Sequence, residues 1–216
     1  MTVGELSGVR GRADPTAAAI RLAELGIAVT PGANVSRGGV CTCGSPACRT
    51  PGRHPLDPAW LLHATTNADS IQGWWHEHPD ANIVAPLLGP YHIVDAPARI
   101  GRLVLDWLGG YSSFTGPVAV TPEERYHFWA LPGVAVEIGV LLDRRGYSLA
   151  AADLRIHREG AYVLLPPSAI GPFSNYRWKL PPHQHVRDLP SSGWLVWLLL
   201  QACRHLGIFA PPHAGT

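Results

Sequence analysis

The stretch from residue 31 to residue 57 constrains this chain most. It is rich in Gly, Pro, Cys and Ser and has no apolar periodicity. A loop of that length inside a compact domain needs either a task or a staple. It carries Cys41, Cys43 and Cys48, three of the four cysteines, followed by His54. The spacing is Cys-x-Cys-x4-Cys-x5-His. Three thiolates and one imidazole suit tetrahedral zinc, and closely spaced ligands on a Gly/Pro loop can wrap one ion. The loop then takes its order from the metal. The set leaves no position open, so the expected zinc is structural. A disulfide and coincidental free thiols are the competing readings, and a cytosolic setting disfavours the first. Cys203 stands apart on the last apolar segment and is expected to be a buried core thiol.

A chain of 216 residues supports one large domain or two small lobes and can bury a core without further staples. Hydrophobic residues make up 46%, which excludes a disordered chain. Gly (23) and Pro (21) are in excess, so turns and short elements are expected instead of a helical bundle. The longest apolar run, Trp194 to Leu200, is far short of the about 20 residues of a membrane helix, so no membrane partner is expected. Met1 to Asp14 lacks the apolar stretch of a secretory leader, and the expected compartment is the cytoplasm. Basic residues (17) nearly balance acidic ones (16), and Lys179 is the only lysine. Any grip on nucleic acid must therefore come from a local patch. Arg99, Arg102, Arg125, Arg144, Arg145 and Arg155 are the candidates for a basic face.

Local signals predict the elements. Asp14 caps a first helix that has Pro15 in its first turn and stops at Gly26. Ile27 to Thr30 reads as a strand and Asp69 to His78 as a helix. Asn82 to Pro86 and Tyr91 to Asp95 read as strands, and Pro97 to Leu108 as a helix ended by Gly109. Val118 to Thr121 and Arg125 to Ala130 are strands, while Ala135 to Leu142 fits strand or helix. Asp153 to His157 and Ala161 to Leu165 form a strand pair, Tyr176 to Leu180 a last strand, and Ser191 caps a final helix. Such a mixture gives an α+β or α/β class. The expected organisation is a flexible N-terminus (1–13), a domain over 14–207 with the zinc loop 31–57 inserted, and a flexible tail (208–216).

Several residues are candidates for chemistry. Asp95 ends a strand, where a carboxylate holds metal or substrate, or caps the next helix. Asp153 and Arg155 alternate on one strand, with His157 following. His127 lies mid-strand, where a histidine is either a catalyst or a satisfied structural residue. Trp74, Trp75 and Trp178 read as packing residues. No phosphate loop, GxGxxG or nucleophile elbow is present.

Read in order, further pieces form a string. Pro51-Gly52-Arg53-His54-Pro55 is followed by Ala64-Thr65-Thr66, Ile71-x-x-Trp74-Trp75 and His78-Pro79-Asp80-Ala81-Asn82-Ile83. Asp95 comes next, then Thr121-Pro122 with His127, Asp153-Leu154-Arg155, Tyr162 through Ser168, and Tyr176-Arg177-Trp178. The string resembles the N-terminal Prim-Pol domain of bifunctional DNA primase/polymerases, of the archaeo-eukaryotic primase superfamily, over roughly residues 14 to 205. The resemblance implies an α+β fold, a Prim-Pol-like mixed sheet with flanking helices and the zinc-stapled loop. It implies template-directed nucleotidyl transfer from nucleoside triphosphates, with DNA as partner and a role in replication. Family members often continue into a helicase region, so a separate helicase or replication partner is implied as well.

In that family an Asp-x-Asp or Asp-x-Glu pair and a third Asp bind two divalent metals, Mg or Mn, and a histidine contacts the triphosphate. Carried over, Asp95 is the first carboxylate, Asp153 the third and His127 the triphosphate histidine, with Arg155 placed to meet phosphate. These are the implied catalytic and divalent-cation residues. The sequence departs from the pattern in three places. Pro97 stands where the second carboxylate falls and cannot bind metal. Glu123-Glu124-Arg125-Tyr126 replaces a Gly-rich turn and should repel a triphosphate, unless Glu123 or Glu124 supplies the missing ligand. Arg99-Ile100-Gly101-Arg102 replaces expected glycines. Impaired polymerisation is therefore expected. The alternative is a pseudoenzyme on the same fold, a non-catalytic nucleotide- or nucleic-acid-binding or regulatory domain. A zinc-stapled scaffold without a nucleic-acid role is a third reading.

Overall fold

The computed structural model describes residues 14–36, 38–89, 91–109, 116–143, 148–189 and 191–209. Helix α1 (Pro15–Glu24) starts where Asp14 Oδ1 accepts the Thr16 N–H at 2.9 Å. Helix α3 (Ala68–Glu77) starts where Asn67 accepts the Ser70 N–H at 2.8 Å. Ala19 and Leu22 of α1 and Ile71 and Trp75 of α3 are buried where the two helices pack together. A single-turn helix, α2 (Trp60–His63), lies between them in sequence and has no periodicity that could have announced it.

The strands form two sheets, and every named pair is antiparallel. The smaller sheet has the order β1 (Thr30–Gly32), β2 (Asn82–Pro86), β7 (Tyr162–Leu165). The larger has the order β6 (Arg155–His157), β3 (His92–Ala96), β5 (Tyr126–Ala130), β4 (Val118–Val120), β8 (Arg177–Leu180). The class is α+β, with helices against both sheets. The remaining helices are α4 (Ala98–Leu108), α5 (Val134–Asp143) and α6 (Ser192–His205). Residues 135–142, which fitted strand or helix, are therefore helical.

Strand alternation explains how the large sheet divides its work, because successive side chains point to opposite faces. Val94, Ala96, Tyr126, Phe128 and Ala130 point toward α4, α5 and α6 in one apolar core. Gly101 is needed there: a Cβ on it would stand 2.3 Å from Cγ of Tyr126, so the α4 backbone rests directly on that ring. Ile93 and Trp129 point the other way, into the core shared with α1, α3 and the small sheet. On that same face, toward one end, the alternation puts Asp95, His127, Arg155 and His157. The cross-strand partners there are Asp95 with His127, Asp95 with Arg155, and Ile93 with His157. A row that is apolar at one end therefore becomes polar and titratable at the other.

Cys203 is fully buried on α6, and burial pushes its thiol up to about 12. The expected flexible ends lie outside the described residues, except that Ile208 and Phe209 pack on the α6 core and Phe209 is buried. Arg144 and Arg145, two candidates for a basic face, also lie outside the described residues. Among the described residues no helix is long and apolar enough to cross a membrane.

Candidate functional site

Cys41, Cys43, Cys48 and His54 come together as the sequence predicts, with all ligand atoms within 4.8 Å of one another. The four cysteines are free thiols, so the disulfide reading fails. Sγ of Cys41 and Sγ of Cys48 each stand 3.4 Å from Nε2 of His54. Sulfur and nitrogen ligands of one tetrahedral zinc stand about 3.5 Å apart, so the donor set could form a zinc site. His54 Nδ1 is 2.7 Å from the Pro55 carbonyl, which leaves Nε2 free for a metal. Burial acts to raise the Cys41 thiol. Hydrogen bonds from the Cys43 and Gly52 backbone outweigh it and bring the thiol down to about 6, toward the ligating thiolate.

Polar side chains tie the loop to the sheets. Asn82, fully buried at the start of β2, donates from Nδ2 to the carbonyls of Ala33 (2.8 Å), Gly52 (2.9 Å) and Ala169 (2.8 Å). Its Oδ1 accepts the Ala169 N–H at 2.9 Å. Tyr162 of β7 donates to the Arg53 carbonyl at 3.0 Å. Arg53 itself pairs with Glu123. The loop next to His54 is thus connected to the turn between β4 and β5.

That turn carries Glu123, Glu124 and Arg125. Thr121 closes it, accepting the Glu124 N–H at 3.0 Å and donating its own N–H to Arg125 O at 2.9 Å. Glu124 sits at φ 59°, a left-handed conformation rare outside glycine. Neither of the two carboxylates expected to repel a polyphosphate stands free. Glu123 pairs with Arg53, and Glu124 pairs with Arg177 and, at 3.3 Å, with Arg102. The arginines hold both carboxyls below their ordinary values. Both glutamates, the candidates to replace the missing ligand, are thus engaged by arginines.

Arg125 does something the sequence reading missed. Its Nε donates to Asp95 Oδ1 at 2.5 Å, its Nη1 to Asp153 Oδ2 at 2.7 Å, and its Nη2 to the Asp153 carbonyl at 2.7 Å. One guanidinium therefore bridges the two carboxylates that the family resemblance assigns to divalent cations. The signal was readable: Arg125 shares the alternation of His127 and Trp129, and so the face of Asp95. Asp153 departs from expectation too. It does not lie in β6; it ends a 3-10 turn (Ala150–Ala152) at φ 51°, ψ 34°. Among the described residues Glu124 and Asp153 are the non-glycine residues with positive φ. Such backbone costs about 1–3 kcal/mol and gathers at functional sites. Arg155 Nη2 reaches Asp153 Oδ1 at 3.5 Å and is otherwise exposed. Pro97 precedes α4 and brings no ligand to the site.

Histidines approach the other oxygen of Asp95. His157 Nε2 is 3.4 Å and His127 Nε2 3.9 Å from Asp95 Oδ2. Burial alone would raise the Asp95 carboxyl, but His157, His127 and Arg125 together hold it below its ordinary value. His127 is buried, and desolvation lowers its imidazole to about 4, against the pull of Asp95.

The profile of the bifunctional DNA primase/polymerase N-terminal domain, Prim-Pol, matches residues 19–192, and the chain belongs to that family. It is a DNA primase/polymerase-like domain. No curated relative matches it.

The neutral, buried His127 has a consequence for stability. Between about pH 6.5 and pH 4 the unfolded chain takes up a proton that the folded chain refuses. Folding stability should therefore fall as pH drops through that window, by up to about 3 kcal/mol from this group. Urea unfolding at a series of pH values should show that slope in the parent and a reduced slope in His127→Gln. Equal slopes would contradict the assignment.

Proposed function

We propose that this Prim-Pol domain binds nucleoside triphosphate and nucleic acid but has given up efficient two-metal nucleotidyl transfer. The observation that carries the proposal is the Arg125 bridge. Two divalent cations act together by clamping the attacking and leaving oxygens of an in-line displacement, and they need a dense set of carboxylates. This chain offers Asp95 and Asp153, already joined to one guanidinium, and Pro97 where a further acid would stand. Removing a partner from a buried pair of this kind costs about 3–5 kcal/mol. The residues present do not fit a two-metal centre.

They do fit an anion. Arg53, Arg102, Arg125, Arg155 and Arg177 face Asp95, Glu123, Glu124 and Asp153, so this network of ion pairs carries a net +1. Exposed arginines such as Arg102 and Arg155 can exchange a carboxylate for a phosphate at little cost, and guanidinium suits phosphate geometry. His127, expected to touch the triphosphate, is instead sunk behind the Asp95–Arg125 pair. Phosphate contact accordingly falls to Arg155 and its exposed neighbours.

The test combines binding with turnover. Binding of a labelled nucleoside triphosphate, read by fluorescence anisotropy, should be present in the parent and weaken about tenfold or more in Arg155→Ala. Extension of a labelled primer with Mg²⁺ or Mn²⁺ should be absent. Extension by the parent that disappears in both Asp95→Ala and Asp153→Ala would overturn the proposal.

We further propose that the Cys41, Cys43, Cys48 and His54 group holds structural zinc. Total-metal analysis of protein purified without chelator should find about one zinc per chain, and much less in Cys48→Ser. Less than about half an equivalent in folded, reduced protein would contradict it.

A further inference from the structure

Asp95, His127 and His157 stand as a group of their own, with a carboxylate oxygen and two ring nitrogens all within 4.8 Å of one another. We propose that they form a binding site for a single divalent transition-metal ion, distinct from a carboxylate-bridged pair of cations and separate from the Cys3His loop. The division of labour on Asp95 is what permits it. Oδ1 is taken by Arg125, while Oδ2 is the oxygen that both imidazoles approach. Arg125 thus acts as the orienting partner of a ligating carboxylate, the outer-shell role that commonly fixes such a group.

The distances suit one ion. Nitrogen and oxygen ligands at about 2.0–2.2 Å from a metal stand about 3.0–3.5 Å apart, depending on coordination number. His157 Nε2 meets that spacing at 3.4 Å, and His127 Nε2, at 3.9 Å, needs to move only a few tenths of an ångström. His127 gives a second, independent observation. Its side chain is buried, yet Nδ1 has no hydrogen-bond partner, and Nε2 is beyond hydrogen-bond reach of Asp95. His127 Nε2 thus lies close to Asp95 Oδ2 without bonding to it, and an ion between the two atoms would hold both.

The donor set also selects the metal. Two imidazoles and one carboxylate on adjacent strands favour manganese, iron, cobalt, nickel or zinc over magnesium, which prefers oxygen and keeps its waters. Three ligands leave coordination positions open. His157 lies on the edge strand β6 and is partly exposed, so those positions can be reached from solvent.

The test uses the full chain with its Cys3His site first saturated with zinc, then titrated with Co²⁺. The expected result is about one further equivalent of cobalt with visible bands of nitrogen and oxygen ligation and no thiolate-to-cobalt charge-transfer band. Binding should be lost in His157→Ala, a partly exposed edge position that tolerates truncation, and retained in Asp153→Asn. Three results would overturn the proposal: no further cobalt in folded, zinc-loaded protein; binding that survives His157→Ala; or binding that vanishes in Asp153→Asn, which would move the ion to the two carboxylates.

Discussion

The guanidinium of Arg125 lies between Asp95 on β3 and Asp153 on the turn before β6, and the geometry around it depends on that placement. Asp95 is almost fully buried, and an ionised carboxylate there needs a cation. Arg125 supplies it through charge-assisted hydrogen bonds, which are short and strong. The same contacts hold Asp153 in a left-handed backbone conformation and turn the second oxygen of Asp95 toward the histidines. Removing the guanidinium would leave two carboxylates facing each other in a site built around a positive charge.

The Cys-rich loop contributes to this arrangement at a distance. Asn82 fixes Gly52, and Gly52 donates its N–H to Cys41 Sγ at 3.4 Å. A Cβ on Gly52, at φ +71°, would stand 2.9 Å from Val35 Cγ2, so glycine is required there. One residue on, Arg53 pairs with Glu123, two residues before Arg125. The cluster that could hold zinc and the turn that carries Arg125 are therefore joined through one ion pair and a buried amide.

Much of this was legible in the sequence. The cap at Asp14 and the Cys3His spacing are local signals, and local signals survive into the fold. The pairing of Asp95 with His127 follows from two strands whose alternation is plain once their register is known. What failed was non-local. Glu123 and Glu124 looked repulsive because the arginines that neutralise them lie about 20 to 70 residues away in sequence. Asp153 looked like a strand residue because its neighbours Arg155 and His157 are. Arg125 was read as one member of a basic face; its alternation with His127 places it on the face of Asp95, but its meeting with two acids distant in sequence is set by the fold. Pro97, by contrast, was informative from the start, because no fold can make a proline side chain into a metal ligand.

The most direct measurement is anomalous diffraction at the manganese edge from crystals grown with Mn²⁺ and a nucleoside triphosphate. If Arg125 stands in the place of the divalent cations, the map will show guanidinium density between Asp95 Oδ1 and Asp153 Oδ2 and no anomalous peak there. A manganese peak bridging those two oxygens, with Arg125 swung away, would contradict it.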